Sequence, residues 1–116
     1  MVPDGRRATK RKGSTSMWTI YILQCNDGSF YTGITNNLPH RMKAHALGQG
    51  SNYVRLKSPF TLMMSREYHC TRSEIQQLEW HIKKQGRKQK LSYIHEPQQL
   101  DLILEQKIKP SFPSSS

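Results

Sequence analysis

The sequence predicts an α/β fold in which a small three-stranded mixed or antiparallel sheet is flanked by helices, in the order β-β-α-β-α-α. Residues 17–25 and 30–35 are rich in β-branched and aromatic residues, as strands are. The four residues Asn26-Asp27-Gly28-Ser29 between them have the composition of a turn, so the pair predicts a β-hairpin. Further on, Thr71-x-x-Glu74 is a capping-box pattern that opens a helix.

The remaining elements follow in chain order. Asn37 and Pro39 mark the start of a helix, because Asn is a good cap and Pro is tolerated in the first turn. This helix is predicted over residues 38–47 and ends at Gly48. The rest is predicted as a loop containing Gly50 and Pro59, a third strand over 60–68, a helix over 72–84 that stops at Gly86, and helix up to 109 interrupted at Pro97.

Length and composition restrict the class of protein. The chain has 116 residues and a net charge of +10, which predicts one domain with a polyanionic partner. No run approaches the ~18 consecutive apolar residues of a membrane-spanning helix, which excludes an integral membrane protein. Cys25 and Cys70 are the only cysteines, so we expect no disulfide framework, no disulfide-linked partner and a cytoplasmic location.

The positive charge is concentrated in two segments. Residues 1–16 have almost no apolar side chains and predict a disordered basic arm, or alternatively a leader, before a domain over 17–109 and a disordered tail over 110–116. The second segment contains Lys83, Lys84, Arg87, Lys88 and Lys90 and no acidic residue. It predicts a salt-sensitive phosphate contact, with a solvated surface as the alternative.

A carboxylate stands where the second helix should be apolar. Ile75, Leu78 and Ile82 have the spacing of one buried stripe, and Glu79 occupies the next slot of that stripe. An unpaired buried charge costs several kcal/mol. Glu79 therefore either reaches solvent at the edge of the stripe or is held by a cation or a metal.

The helix after the hairpin has a similar feature. Leu38, Met42 and Ala46 form an apolar row, and Arg41 and His45 lie beside it as an i, i+4 pair. A guanidinium on a fixed scaffold suits a planar anion such as phosphate, although an ordinary surface pair is the alternative.

The hairpin contains two tyrosines and a glycine. Tyr21 lies in the first strand and Tyr31 in the second, and tyrosines on strands most often serve packing. A loop with an odd number of residues places both on one face of the sheet, whereas a two-residue turn separates them. Gly33 within a strand indicates a bulge or a close approach by another backbone or a ligand.

Taken together, these motifs resemble the GIY-YIG nuclease family, in particular its short standalone bacterial members. Thr19-Ile20-Tyr21 and Tyr31-Thr32-Gly33 resemble the two motifs that give the family its name. The segment from Asn37 through Arg41 to His45 resembles its arginine-bearing helix, and Leu78-Glu79-x-x-Ile82 its glutamate-bearing helix. The resemblance covers residues 17–95.

The resemblance implies a DNA endonuclease with one divalent ion, Mg²⁺ or Mn²⁺, held by Glu79, and a role in repair or processing of DNA. It implies that Arg41 binds the scissile phosphate and that Tyr31 activates the attacking water, which Tyr21 positions. His45 would bond a tyrosine or the phosphate. Gly33 and the basic residues near Lys83 would contact nucleic acid, DNA rather than RNA.

Two other hypotheses remain open. Many larger members of the family have a lysine at the position of Ile34 and a late asparagine, and this chain has neither. These departures favour a binding module of the same fold that cleaves slowly or not at all. A zinc site built from Cys25, His69 and Cys70 is the weakest hypothesis, because no Cys-x-x-Cys pair is present.

Overall fold

The computed structural model describes residues 15–108, and within them three strands form one antiparallel sheet. They are β1 (Thr15–Gln24), β2 (Phe30–Thr35) and β3 (Thr61–Thr71), with β1 in the centre. The helices are α1 (Leu38–Ala46), α2 (Asn52–Leu56), α3 (Arg72–Lys83), α4 (Arg87–His95) and α5 (Gln99–Ile103), and a π-helical turn follows at Leu104–Ile108. The predicted α/β fold is confirmed.

The largest differences from the predicted elements are two strand ends and one additional helix. β1 begins at Thr15, and β3 continues to Thr71, because the ends of these strands pair with each other. Helix α2 lies in a segment predicted as a loop, where the buried Val54 packs against the sheet. Residues 1–14 of the predicted arm and the predicted tail lie outside the described residues.

The loop of the hairpin has an odd number of residues. Gln24 pairs with Phe30, which leaves Cys25–Ser29 as the loop, and Tyr21 stands opposite Gly33. Asp27 fixes this loop, because its Oδ1 accepts hydrogen bonds from the Ser29 amide at 3.0 Å and the Ser29 hydroxyl at 2.6 Å. Of the two predicted geometries, the structure therefore has the one that places Tyr21 and Tyr31 on the same face.

The two faces of the sheet carry separate apolar clusters. Ile20 and Ile22 point to the face covered by α3, whose buried stripe is the predicted one. The members of that stripe are Ile75, Leu78 and Ile82. Tyr21 and Leu23 alternate with them and point to the other face, where α1 and α2 pack. The chemistry-bearing tyrosines therefore lie on the face opposite α3.

A polar network attaches the C-terminal helices to β3. Arg66 donates two hydrogen bonds of 2.8 Å to the carboxylate of Asp101 on α5, and the Tyr68 hydroxyl bonds the same carboxylate. The hydrogen bonds from Arg66 lower the pKa of Asp101.

Within residues 15–108, no helix has the length and apolar character needed to cross a membrane. Cys25 and Cys70 are both buried, and neither forms a disulfide.

Candidate active site

The centre of the candidate site is a hydrogen bond between two buried side chains. The Tyr21 hydroxyl lies 3.0 Å from Nε2 of His45, and each residue is about 1% exposed. Helix α1 presents His45 and is fixed at its start by Asn37, whose side chain accepts a hydrogen bond from the His40 amide. The apolar row predicted for this helix is less buried than His45, since Ala46 is exposed.

The other ring nitrogen of His45 is closed off. Nδ1 is buried without a hydrogen-bond partner among the described residues, and Gly50 lies against it. A Cβ on Gly50 would lie only 2.4 Å from Nδ1, so a larger residue there would displace the imidazole. Nε2 is therefore the nitrogen of His45 that faces the site.

Burial sets the protonation of this pair. It raises the pKa of Tyr21 far above that of a free phenol, and the negative charges that Tyr31 and Glu79 can carry raise it further, whereas Arg41 lowers it. Burial, followed by the positive charge of Arg41, lowers the pKa of His45. At neutral pH the site therefore contains a protonated Tyr21 phenol bonded to an uncharged imidazole.

Tyr31 lies beside this pair and is only half-buried. The centre of its ring is 6.4 Å from that of Tyr21 and 5.6 Å from that of His45, whose ring meets it edge-on. Of the two tyrosines, Tyr31 is thus the one that solvent reaches.

Tyr53 on α2 is a neighbour that the sequence analysis missed. Its ring stacks on Tyr31 with 5.8 Å between centres, and its hydroxyl donates a 2.7 Å hydrogen bond to Oγ of Ser29. Lys57 lies over the same ring and pairs with Asp27 in the hairpin loop. In the sequence, the only indication of this role is that Tyr53 is an aromatic residue in a segment predicted as a loop. Its contact with Tyr31 depends on the tertiary structure.

Arg41 and Glu79 contribute charge from two different helices. Arg41 lies one turn before His45 on α1, and its charge acts on both Tyr21 and His45. Glu79 comes from α3, on the opposite side of the sheet, yet its charge also acts on Tyr21. Its side chain is 21% exposed and forms a 3.3 Å ion pair with Lys83. Of the alternatives predicted for Glu79, the structure has the edge position with a cation beside it.

Of the features predicted at Gly33, the structure has the close approach, and a side chain makes it. It pairs regularly with Tyr21, without a bulge, and the group that approaches it is the Tyr21 ring. A Cβ at Gly33 would lie 2.4 Å from the Tyr21 hydroxyl oxygen. The missing side chain therefore makes room for this phenol, and a contact of Gly33 with nucleic acid stays a prediction.

The predicted basic segment spans the end of α3 and the start of α4, and three of its cations have partners. Lys83 pairs with Glu79, and Nζ of Lys84 lies 4.0 Å from the centre of the Trp80 ring. Arg87 lies over the Phe30 ring and donates a 2.7 Å hydrogen bond to the Gly28 carbonyl. Lys88 is exposed and Lys90 half-buried. A phosphate contact by this segment stays a prediction.

The structure does not bring the predicted zinc ligands together. Cys70 lies where β3 pairs with the start of β1, and Cys25 follows the other end of β1, so the zinc hypothesis is wrong. In the described part of the chain, no cluster of three or more His, Cys, Asp or Glu could hold a metal ion. Mg²⁺ commonly takes one or two carboxylates and completes its shell with water and substrate phosphate. Glu79 offers one such carboxylate, and its binding of an ion stays a prediction.

We expect His45 to make stability depend on pH. Its pKa is lower in the folded state, so between that value and about 6.5 the unfolded chain binds more protons, and stability falls as the pH falls. Replacing His45 with glutamine should flatten this dependence below about pH 6.5, by at most ~1.4 kcal/mol per pH unit. Urea unfolding at several pH values measures it. His40→Gln is the matched control, because His40 is an exposed histidine on the same helix. An unchanged slope in His45→Gln would contradict the prediction.

Comparison with known proteins identifies the family. A family model described as the GIY-YIG catalytic domain matches residues 17–92. A UPF0213 protein of Oceanobacillus iheyensis is 43% identical over 75 residues, covering 65% of this chain and 86% of the relative. A UPF0213 protein of Clostridium perfringens is 47% identical over 75 residues, covering 65% and 80%. The solution NMR structure of an E. faecalis protein is 35% identical, covers 72% of this chain and 88% of that one, and has a TM-score of 0.50.

The three-stranded sheet and the match together define a domain of a nuclease family. The chain belongs to the GIY-YIG family, and its relatives include short standalone bacterial proteins. The resemblance found in the sequence is thereby confirmed. Nucleases of this family act on nucleic acid and generally use divalent metal ions.

Proposed function

We propose that this protein is a divalent-metal-dependent endonuclease that hydrolyses phosphodiester bonds of DNA, in repair or in processing of branched, damaged or single-stranded DNA. The observation that carries the proposal is the hydrogen bond between Tyr21 and the uncharged His45, with Tyr31 beside it on the same face. Such a group can move a proton, and the charges of Arg41 and Glu79 both act on it.

Each residue has one assigned task. Tyr31, which solvent reaches, contacts the attacking water. Tyr21 and His45 hold the Tyr31 ring in place from its buried side. The uncharged His45 imidazole is the base that receives the proton of the water, and the Tyr21 hydroxyl passes that proton to it. Arg41 binds the scissile phosphate, because two parallel N–H donors match its oxygens. Glu79 is the ligand for Mg²⁺ or Mn²⁺, whose charge, when bound, neutralises the phosphate and the leaving oxygen.

The second candidate is a nucleic-acid-binding module of the same fold with little or no cleavage. The ion pair between Glu79 and Lys83 favours it, because it occupies the carboxylate that the metal needs. Ile34, which replaces the lysine of larger relatives, packs in the cluster under α3, away from the tyrosines.

Cleavage assays separate the two candidates. We expect the full chain to cut supercoiled plasmid, single-stranded DNA or branched DNA in Mg²⁺ or Mn²⁺, and EDTA to abolish the cutting. Tyr31→Phe removes only a hydroxyl and should lower the rate by about 10²- to 10⁴-fold, the usual range for acid–base groups.

Tyr93→Phe is the matched control, because Tyr93 is buried in the cluster on the other face of the sheet. Its rate should stay that of the wild type. Salt-dependent binding of every substrate without cleavage would support the binding module. Structured RNA belongs in the same assay, and preferential cutting of RNA would overturn the choice of DNA.

A further inference from the structure

Trp80 is an aromatic side chain that neither the core nor the proposed chemistry uses. It lies on α3, is 63% exposed, and directly follows Glu79 in the chain. The buried stripe of α3 includes Leu78 and Ile82, each two positions away, and residues at that spacing do not share a helix face. Trp80 therefore points away from the core and offers a large flat surface to a ligand.

Positive charge lies beside this ring. The Lys84 ammonium lies 4.0 Å from the centre of the ring, and the segment from Trp80 to Lys90 contains five cations and no acidic residue. Arg87 is hydrogen-bonded to the Gly28 carbonyl of the hairpin, and Lys83 is paired with Glu79. Lys84, Lys88 and Lys90 form no ion pair within residues 15–108. A ligand complementary to this surface combines an aromatic face with negative charge. A nucleotide within a nucleic-acid strand has both.

We propose that Trp80 stacks on an unpaired base of a nucleic-acid strand while Lys84 contacts the adjacent phosphate. In a duplex, each base is already stacked on its neighbours, so an aromatic side chain reaches base faces mainly in single strands, loops and ends. This surface thus selects single-stranded or locally unpaired substrates. The inference rests on the proposed function in one respect, because Trp80 directly follows Glu79 and would hold a base near the proposed metal ligand.

Tryptophan fluorescence tests the contact without any cleavage. The chain has two tryptophans, so Trp18→Phe leaves Trp80 as the sole reporter. The probes are oligothymidylate and oligouridylate of about 12 nucleotides, within the site sizes of single-strand grooves, and a duplex of equal length, all in EDTA. We expect saturable quenching by the single strands and little by the duplex. Equal quenching by the duplex would overturn the proposal.

Affinities provide the second test. Trp80→Ala should weaken single-strand binding by about 5- to 150-fold and leave duplex binding within about twofold, because stacking acts on exposed bases only. Trp80→Phe should keep most of the affinity. Lys84→Met should lower the salt slope of single-strand binding by about 0.7. Leu102→Ala, a substitution of another exposed apolar side chain, is the matched control and should change neither.

The outcomes separate this inference from the proposed function. Selective loss of single-strand binding in Trp80→Ala, in a protein that cleaves nothing, supports the inference and contradicts the endonuclease. Metal-dependent cleavage with unchanged single-strand affinity in Trp80→Ala overturns the inference and leaves the endonuclease in place. If Trp80→Ala fails to fold, quenching of Trp18→Phe still decides.

Discussion

Replacing Gly33 with alanine is expected to destabilise the fold and to abolish any activity of the site. The new Cβ would lie 2.4 Å from the Tyr21 hydroxyl oxygen and 2.5 Å from Cζ of the same ring. Tyr21 is about 1% exposed, so its ring can move only by displacing the residues packed around it. Overpacking of this kind costs about 1–3 kcal/mol and occasionally more, and we expect the upper end. Chemical denaturation measures the loss.

Gly86→Ala is the matched control, because a Cβ at Gly86 would have no other atom within 4 Å and the φ of −76° there suits any residue. It should cost no more than about 1 kcal/mol, the value of a helix cap. In the double variant Gly33→Ala with Tyr21→Leu, the clashing atoms are gone, so the two effects should be strongly non-additive. Additive effects would show that Gly33 does not serve Tyr21.

Activity should be lost even where Gly33→Ala still folds. Displacing the Tyr21 ring separates its hydroxyl from Nε2 of His45, now 3.0 Å away. Gly50 faces the same histidine from the other side, at a distance equally short for a Cβ. Gly33 thus leaves space for the Tyr21 ring and Gly50 for the His45 ring, and these two rings share one hydrogen bond. Even a substitution with alanine at either position should therefore disturb the site.

Local patterns in the sequence were sufficient for most of the fold. The strand from Phe30 to Thr35 has its predicted ends, and the capping box of Thr71 and Glu74 is present with both of its hydrogen bonds. These features depend on neighbouring residues and on simple periodicity, so a sequence reveals them. Helix α2 has five residues and depends on the burial of Val54 against the sheet, which no local pattern expresses.

The sequence was sufficient to predict which residues belong to the site, but not which of them touch one another. Tyr21 and Tyr31 share a face only because the hairpin loop has five residues, and turn composition does not fix that number. The approach to Gly33 comes from the chain itself, because Tyr21 stands directly opposite it on the neighbouring strand. Contacts across strands depend on register, and register is a property of the assembled sheet.

Glu79→Gln is expected to lower metal-dependent cleavage by at least about 10²- to 10³-fold, the effect of removing one electrostatic contact to the reacting group. Glutamine keeps the size of the side chain and removes its charge, so the fold should persist and cleavage should stay weak at every metal concentration. Activity equal to that of the wild type would mean that Glu79 does not hold the ion.

Lys83→Met should strengthen the binding of the metal ion, whereas Glu79→Gln weakens it. Its ammonium lies 3.3 Å from Oε2 of Glu79, so it competes with a divalent ion for that carboxylate. The side chain of Lys83 is half-exposed, and such pairs are worth at most about 1 kcal/mol, so the metal concentration for half-maximal cleavage should fall by up to about fivefold. The measurement is a Mg²⁺ or Mn²⁺ titration at saturating DNA.

Lys88→Met removes the same charge from an exposed position on α4 and should leave the midpoint unchanged. Equal shifts in both variants would indicate a general effect of charge, and a higher midpoint in Lys83→Met would show that Lys83 assists the ion at Glu79.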